Sequence, residues 1–184
     1  MEAPMLDYEK LISQAKSCGF TEAGPLDVAT LEFLPEVRDM CASDRCQSYG
    51  KNWACPPACG TLEEMREKVR GFSRGLLVQT VGRLEDDMDW EGMQQAAQDQ
   101  AESFEKLHDQ LLKDYPGLLA MGTGTCTRCK TCTYTEGKPC RFPEKLTYSM
   151  EACGLFVSKV CTDNGMKYNH GPNTVTYTAC FLLE

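Results

Sequence analysis

The chain has 184 residues, with 19 Lys plus Arg against 27 Asp plus Glu, a formal net charge of −8, and 12 Cys. That length suits one domain, and 42 % hydrophobic with 9 % aromatic residues supplies a packed core, which argues against a disordered chain. The acidic balance argues against a nucleic-acid partner and against binding to an anionic membrane surface.

The segment Met1–Lys10 lacks a basic stretch followed by an apolar run, so no secretory signal is expected. No stretch approaches the roughly 20 apolar residues that span a bilayer. The expectation is a cytoplasmic protein whose thiols stay reduced, where cysteines serve metal binding or redox chemistry. The alternative is a secreted disulfide protein whose signal has been removed.

Residues 5–18 have helical spacing in Tyr8, Leu11, Ile12, Ala15 and Cys18, with Pro4 suited to the first turn and Gly19 to the stop. Pro25 to Phe33 is rich in Val, Leu, Thr and Phe and predicts a strand. Residues 41–60, with four cysteines, Gly50, Pro56, Pro57 and Gly60, predict an irregular loop. Thr61 with Glu64 forms a capping box for a helix to about Phe72. After Gly75, Leu76–Val81 is the clearest strand.

Residues 89–115 predict the longest helix, with Trp90, Met93, Ala97, Ala101, Phe104, Leu107, Leu111 and Tyr115 on one stripe, ended by Pro116-Gly117. Leu118–Met121 predicts a short strand that feeds a second cysteine loop at 126–143. Ser149 is a candidate cap for a helix to about Asp163, and Thr174–Leu183 a closing strand. The expected fold is α/β or α+β over residues 1–184: one domain, a small mixed sheet flanked by about four helices, and two cysteine-rich loops.

The second loop reads Cys126-x-x-Cys129-x-x-Cys132, then Pro139-Cys140 and Pro143. Three thiolates within seven residues suit a cubane iron–sulfur cluster, whose corners a single loop can wrap, with the fourth ligand arriving from farther along. Cys140 is the natural fourth, although its gap is wider than in the ferredoxin run. A single zinc ion needs four donors converging on one atom, usually from two separated knuckles, and remains the alternative.

The first loop carries Cys41, Cys46, Cys55 and Cys59 at a spacing that matches no simple ribbon or ferredoxin run. Cys55 and Cys59 precede the helix capped at Thr61, so its N-terminal amides are expected to favour thiolates. Arg45 and Lys51 are candidate counter-charges, and Gly50 is expected to allow close backbone approach. The unpatterned reading is ordinary thiols packed down by Tyr49 and Trp53. If only three of the four ligate, one iron would be left open to a small ligand.

The stretch Cys46-x-x-Tyr49-Gly50-Lys51-Asn52-Trp53-Ala54-Cys55-Pro56-Pro57 and the later Cys126-x-x-Cys129-x-x-Cys132, Pro139-Cys140-Arg141-x-Pro143 and Ser149-Met150-Glu151-Ala152 resemble one family. It is the domain of unknown function 2284 family, small prokaryotic cysteine-rich proteins described as predicted metal-binding proteins. The resemblance covers about residues 37–183 and implies metal binding by Cys41, Cys46, Cys55 and the 126–140 quartet. It implies no reaction, and Cys59 is less typical of its motif.

Cys18, Cys153, Cys161 and Cys180 fall on predicted helices or a strand, where buried cysteine acts as a small hydrophobe. Cys153 follows Ser149–Ala152 closely enough to face a cluster. His108 is expected at the surface or boundary of the long helix, and His170 in a turn. Gly122-Thr-Gly124-Thr lacks the phosphate-loop pattern, and the acidic run 85–89 reads as a solvated helix start.

Three functions are compatible with this sequence. One is a redox or electron-transfer accessory protein with one or two [4Fe–4S] clusters, its acidic surface suited to a basic patch on a redox partner. Another is an enzyme acting on a small-molecule substrate at an open iron held by Cys41, Cys46 and Cys55, with Cys59 or His170 as acid or second nucleophile. The last is a structural zinc protein.

Overall fold

The computed structural model describes residues 6–184. The expectations for Pro4 and for Met1–Met5 lie outside the described residues. Helix α1 spans Tyr8–Cys18: the Asp7 carboxylate accepts from the Lys10 amide at 3.0 Å, and Gly19, at φ 120°, ends it.

The first strand is displaced from its expected position. Strand β1 is Glu22–Asp27, and Val28–Thr30 forms a 3₁₀ turn instead of continuing to Phe33. Asp27 is the cause, because its side chain accepts from the Ala29 amide and turns the backbone out of extension. Phe33 retains only an isolated bridge to Leu155. Pro25 is tolerated because β1 is an edge strand of the sheet.

Helix α2, Pro35–Met40, had no counterpart in the sequence reading; none of its residues is buried, so it shows no apolar stripe. Helix α3, Leu62–Val69, has the expected capping box between Thr61 and Glu64. Strand β2 is Arg74–Arg83, and helix α4 is Trp90–Asp114, capped by the Asp89 side chain on the Gly92 amide at 2.8 Å. The acidic run thus includes a specific cap.

Strands β3, Leu119–Gly122, and β4, Thr147–Ser149, pair in parallel. Ser149 therefore ends a strand, and the expected helix start is corrected. Residues 150–154 turn, with Gly154 at φ 78°, before helix α5 at Val157–Asp163. Strand β5, Thr174–Leu182, closes the sheet in the order β1-β2-β5-β3-β4, antiparallel except for β3 and β4. The result is a mixed α/β domain with five α-helices, one more than the sequence reading anticipated.

Alternation along the two central strands builds a core on each face. Leu76, Val78, Ala179 and Phe181 meet Leu11, Ala15, Phe104, Leu107 and Leu111 of α1 and α4. Leu77, Cys180 and Leu182 meet Met65, Val69, Val160 and Cys161 on α3 and α5, together with Met121, Met150 and Leu155. A sheet covered on both sides explains why Leu76–Val78 reads as continuous apolar sequence. Cys18, Cys153, Cys161 and Cys180 are all buried in these cores, as their packing role requires.

His108 is the clear correction on α4. It is 1 % exposed, in ring contact with Phe104 and Phe181 at 5.8 Å each. Gln100 and Ser103 share that buried face, so its stripe is partly polar and apolar periodicity did not reveal it. His170 lies half-buried, Nε2 at 3.3 Å from Gln79 Oε1 on β2.

Candidate metal centres

The cysteine loops occupy the two longest segments between the helices and strands of this topology. A parallel strand pair needs a crossover, usually a helix. Here the crossover from β3 to β4 is residues 123–146, which contain the second cysteine set and only two short 3₁₀ turns. Long segments without regular structure inside a compact domain are usually functional, and they need something to hold them.

Local hydrogen bonds fold that loop back on itself. The 3₁₀ turn Thr133–Glu136 ends at Gly137, φ 67°. Thr133, buried, donates its hydroxyl to the Pro139 carbonyl at 2.8 Å, and the Lys138 amide donates to the Thr133 carbonyl at 3.1 Å. Arg141 donates to the Thr131 carbonyl at 2.8 Å. These contacts return the residues flanking Cys140 to the Thr131–Thr133 segment beside Cys132. Burial raises the Cys140 thiol pKa, and the negative charges of Cys126, Cys132 and Cys129 raise it further. The wide gap before Cys140 is therefore spanned by a built turn.

The first loop lies between α2 and α3. Asn52, 6 % exposed, accepts from the Ala54 amide at 3.0 Å and donates to the Ser48 carbonyl at 3.1 Å, while the Gly50 amide donates to the Pro56 carbonyl at 2.8 Å. Gly50 is needed for its φ of 67°, not for close approach: nothing lies within 4 Å of a Cβ placed there. Cys41 and Cys46 are on the accessible side, whereas Cys55 and Cys59 are buried.

Charge relations divide this set. Burial raises Cys41, followed by the charges of Cys55, Glu151 and Cys46. Burial also raises Cys55; the Thr125 and Asn52 side chains act the other way, and Cys46 and Cys59 push it up again. Cys59 is raised by burial and lowered by Arg38, its own backbone and Lys68. Burial first, and then the charge of Cys59, holds the Cys153 thiol well above the usual range. Cys46 and Cys55 thus act on Cys41, Cys46 and Cys59 act on Cys55, and Cys59 acts on Cys153.

Two expectations about counter-charge are corrected. The capping box occupies the start of α3: Glu64 accepts from the Thr61 amide at 2.6 Å and Thr61 from the Glu64 amide at 3.2 Å. The helix end is thereby answered by its own carboxylate. Arg45 is exposed, and Lys51 donates to the Gln47 carbonyl. Arg38 of α2 is the cation that lowers Cys41, Cys59 and Cys153. Its place on a helix without buried residues gave the sequence no signal for it.

The two loops also touch. Trp53 Nε1 donates to the Lys138 carbonyl at 3.2 Å, and the Trp53 and Tyr134 rings meet edge-on with centroids 5.0 Å apart. Thr125, next to Cys126, acts on Cys55 across the gap, and its buried hydroxyl has no other hydrogen-bond partner among the described residues.

All twelve cysteines are free thiols. Among the described residues, no three His, Cys, Asp or Glu side chains converge closely enough to hold a single metal ion. The donor chemistry nonetheless fits a metal group: each loop carries four cysteines, and burial together with neighbouring thiolate charge raises Cys41, Cys55 and Cys140, a penalty that a bound cation relieves. Among the described residues, no helix is long and apolar enough to cross a membrane. A family model described as "Predicted metal-binding protein (DUF2284)" matches residues 24–183. Neither the curated proteins nor the solved structures contain a match.

Proposed function

The chain belongs to the DUF2284 family of predicted metal-binding proteins, and from that premise we propose that it is an iron–sulfur protein serving electron transfer. Its cysteine quartets would hold one or two [4Fe–4S] clusters. The observation that carries this reading is the Cys126-x-x-Cys129-x-x-Cys132 triplet, with the residues on either side of Cys140 hydrogen-bonded back to Thr131 and Thr133. Three thiols within seven residues, with a fourth farther along, suit a cluster with separate iron corners better than a zinc ion, whose four donors converge on one atom. Such a cluster, when bound, supplies one-electron redox chemistry.

The chain's own residues have definable parts in this. Cys126, Cys129, Cys132 and Cys140 provide the second set of thiolates, and Cys41, Cys46, Cys55 and Cys59 the first. Thr133 and Arg141 fix the loop that presents Cys140. Arg38 offsets negative charge at the first set. The net charge of −8 suits docking to a basic patch on a redox partner in the cytoplasm.

Protein purified without oxygen should be brown, bleach on reduction, and contain iron and acid-labile sulfide in equal amounts, with an EPR signal when reduced. Zinc without sulfide would select the structural zinc reading, and protein that stays free of iron and sulfide after anaerobic reconstitution would remove the proposal. A second reading concerns the first loop. The burial of Cys59, 2 % exposed with its thiol 3.9 Å from the Gly60 carbonyl, while Cys41 and Cys46 are accessible, favours a three-thiolate set with an iron open to a small-molecule substrate. In that case Cys59→Ser keeps the first cluster while Cys46→Ser loses it; equal loss in both variants favours four thiolates.

A further inference from the structure

Between α4 and the start of the second cysteine loop lies a cavity of about 80 Å³, lined by Gln100, Phe104, Thr125, Cys126, Arg128 and Tyr177 among others. Gln100 is only 3 % exposed, yet neither its amide nitrogen nor its amide oxygen has a partner among the described residues. Arg128 Nε in the same wall is also unpartnered among the described residues. An orphaned buried polar group is destabilising, so a helix face that needed only packing would place an apolar residue at this position.

The lining specifies what would answer these groups. Arg128 is already engaged, at 2.9 Å from Asp109 and 3.9 Å from Glu105, and Lys145 lies 3.1 Å from Asp109. Two cations and two carboxylates cancel there, leaving no net charge to attract an ion. Gln100 offers one donor edge and one acceptor edge side by side. Phe104 and Tyr177 supply apolar wall. The volume holds about three water molecules or one small organic group.

We propose that this cavity binds a small uncharged molecule of the carboxamide or urea class, held by reciprocal hydrogen bonds with the Gln100 amide beside Cys126. Its use as a substrate or ligand site of the metal centre rests on the function proposed above; the binding itself does not.

The test uses the full chain as purified without oxygen, with acetamide as probe and acetate and methylammonium as charged controls. Saturation-transfer NMR should give a saturable acetamide signal, with either charged control at least tenfold weaker. Gln100→Leu, and Gln100→Glu as a variant of unchanged size, should weaken acetamide binding at least tenfold. Crystals soaked in acetamide should show it against Gln100. The proposal is overturned if soaked crystals hold only ordered water, if acetate binds as well as acetamide, or if both Gln100 variants bind like the parent. Iron and sulfide are measured on the same samples. Acetamide binding without iron removes the electron-transfer reading alone, and iron without acetamide binding removes this one alone.

Discussion

Arg38 influences three buried or half-buried thiols from one position, and its Nη2 also donates to the Gly60 carbonyl next to Cys59. Replacing it with Gln leaves those thiols with burial and mutual repulsion but without the offsetting charge. Arg38→Gln should therefore weaken metal binding at the first loop about 10- to 100-fold, the usual effect of losing an outer partner, with Arg38→Lys less affected. Competition with a chelator at fixed pH measures this, and unchanged affinity in Arg38→Gln would exclude the role. His108 gives a second prediction at this scale, with a sign set by its surroundings. Burial first, then the Arg128 charge, lowers its pKa from 6.5 to about 4, against a smaller opposing effect of Asp109. Between those values the unfolded chain binds a proton that the folded chain refuses, so stability rises with pH across the window and falls on acidification. The loss between pH 7 and pH 4.5 attributable to this residue is about 2 to 3 kcal/mol. His108→Leu should lose that much less than the parent in urea unfolding at the two pH values.

At the scale of elements, the turn Thr133–Glu136 closes the second loop through few contacts. Thr133→Val keeps the shape and removes the hydroxyl that holds the Pro139 carbonyl, a bond worth about 1 kcal/mol. Metal should leave the second loop faster on chelation in this variant, while the midpoint of global unfolding moves little. A release rate equal to the parent's would show that Cys140 is positioned by other contacts. The elements that were legible in sequence share a property with this turn: their signals are local. Thr61 with Glu64 and Gly19 each announce a boundary, and Phe104, Leu107 and Leu111 the buried side of α4, whereas Trp90 and Ala97 of the expected stripe are exposed. The elements that were misread depend on distant partners or on competing local bonds. Strand β4 exists because β3 pairs with it, and Asp27 turned the chain where β-branched residues suggested extension. The cysteine spacing showed which thiols to consider, but not that Arg38, Glu151 and Thr125 would surround them, because these approach from other elements.

At the scale of the whole molecule, the cysteine loops lie outside the structure that gives the chain its stability. The two cores contain Leu76, Leu77, Val78, Leu107, Leu111, Phe181 and Leu182, each essentially inaccessible, and none of the eight loop cysteines belongs to either core. Fully burying one such side chain contributes about 1.5–3 kcal/mol, and the set covers both faces of a five-stranded sheet. The domain should therefore not behave like a small zinc domain, which unfolds when its metal is removed. Loops 41–60 and 123–146, by contrast, have few buried apolar anchors; contacts such as Trp53 with Tyr134 and Lys138 tie them to one another, while Arg128 and Lys145 tie the second to Asp109 of α4. Metal removal should leave far-UV circular dichroism nearly unchanged and the amides of β2 and β5 protected from hydrogen exchange. Protection should be lost together in both loops, because the Trp53 contact makes them one opening unit. Trp53→Ala should separate them, so that each loop opens at its own rate when metal is removed. Global unfolding on chelation would mean that the metal holds the sheet itself, and independent opening of the loops in the parent would mean that the Trp53 contact does not couple them.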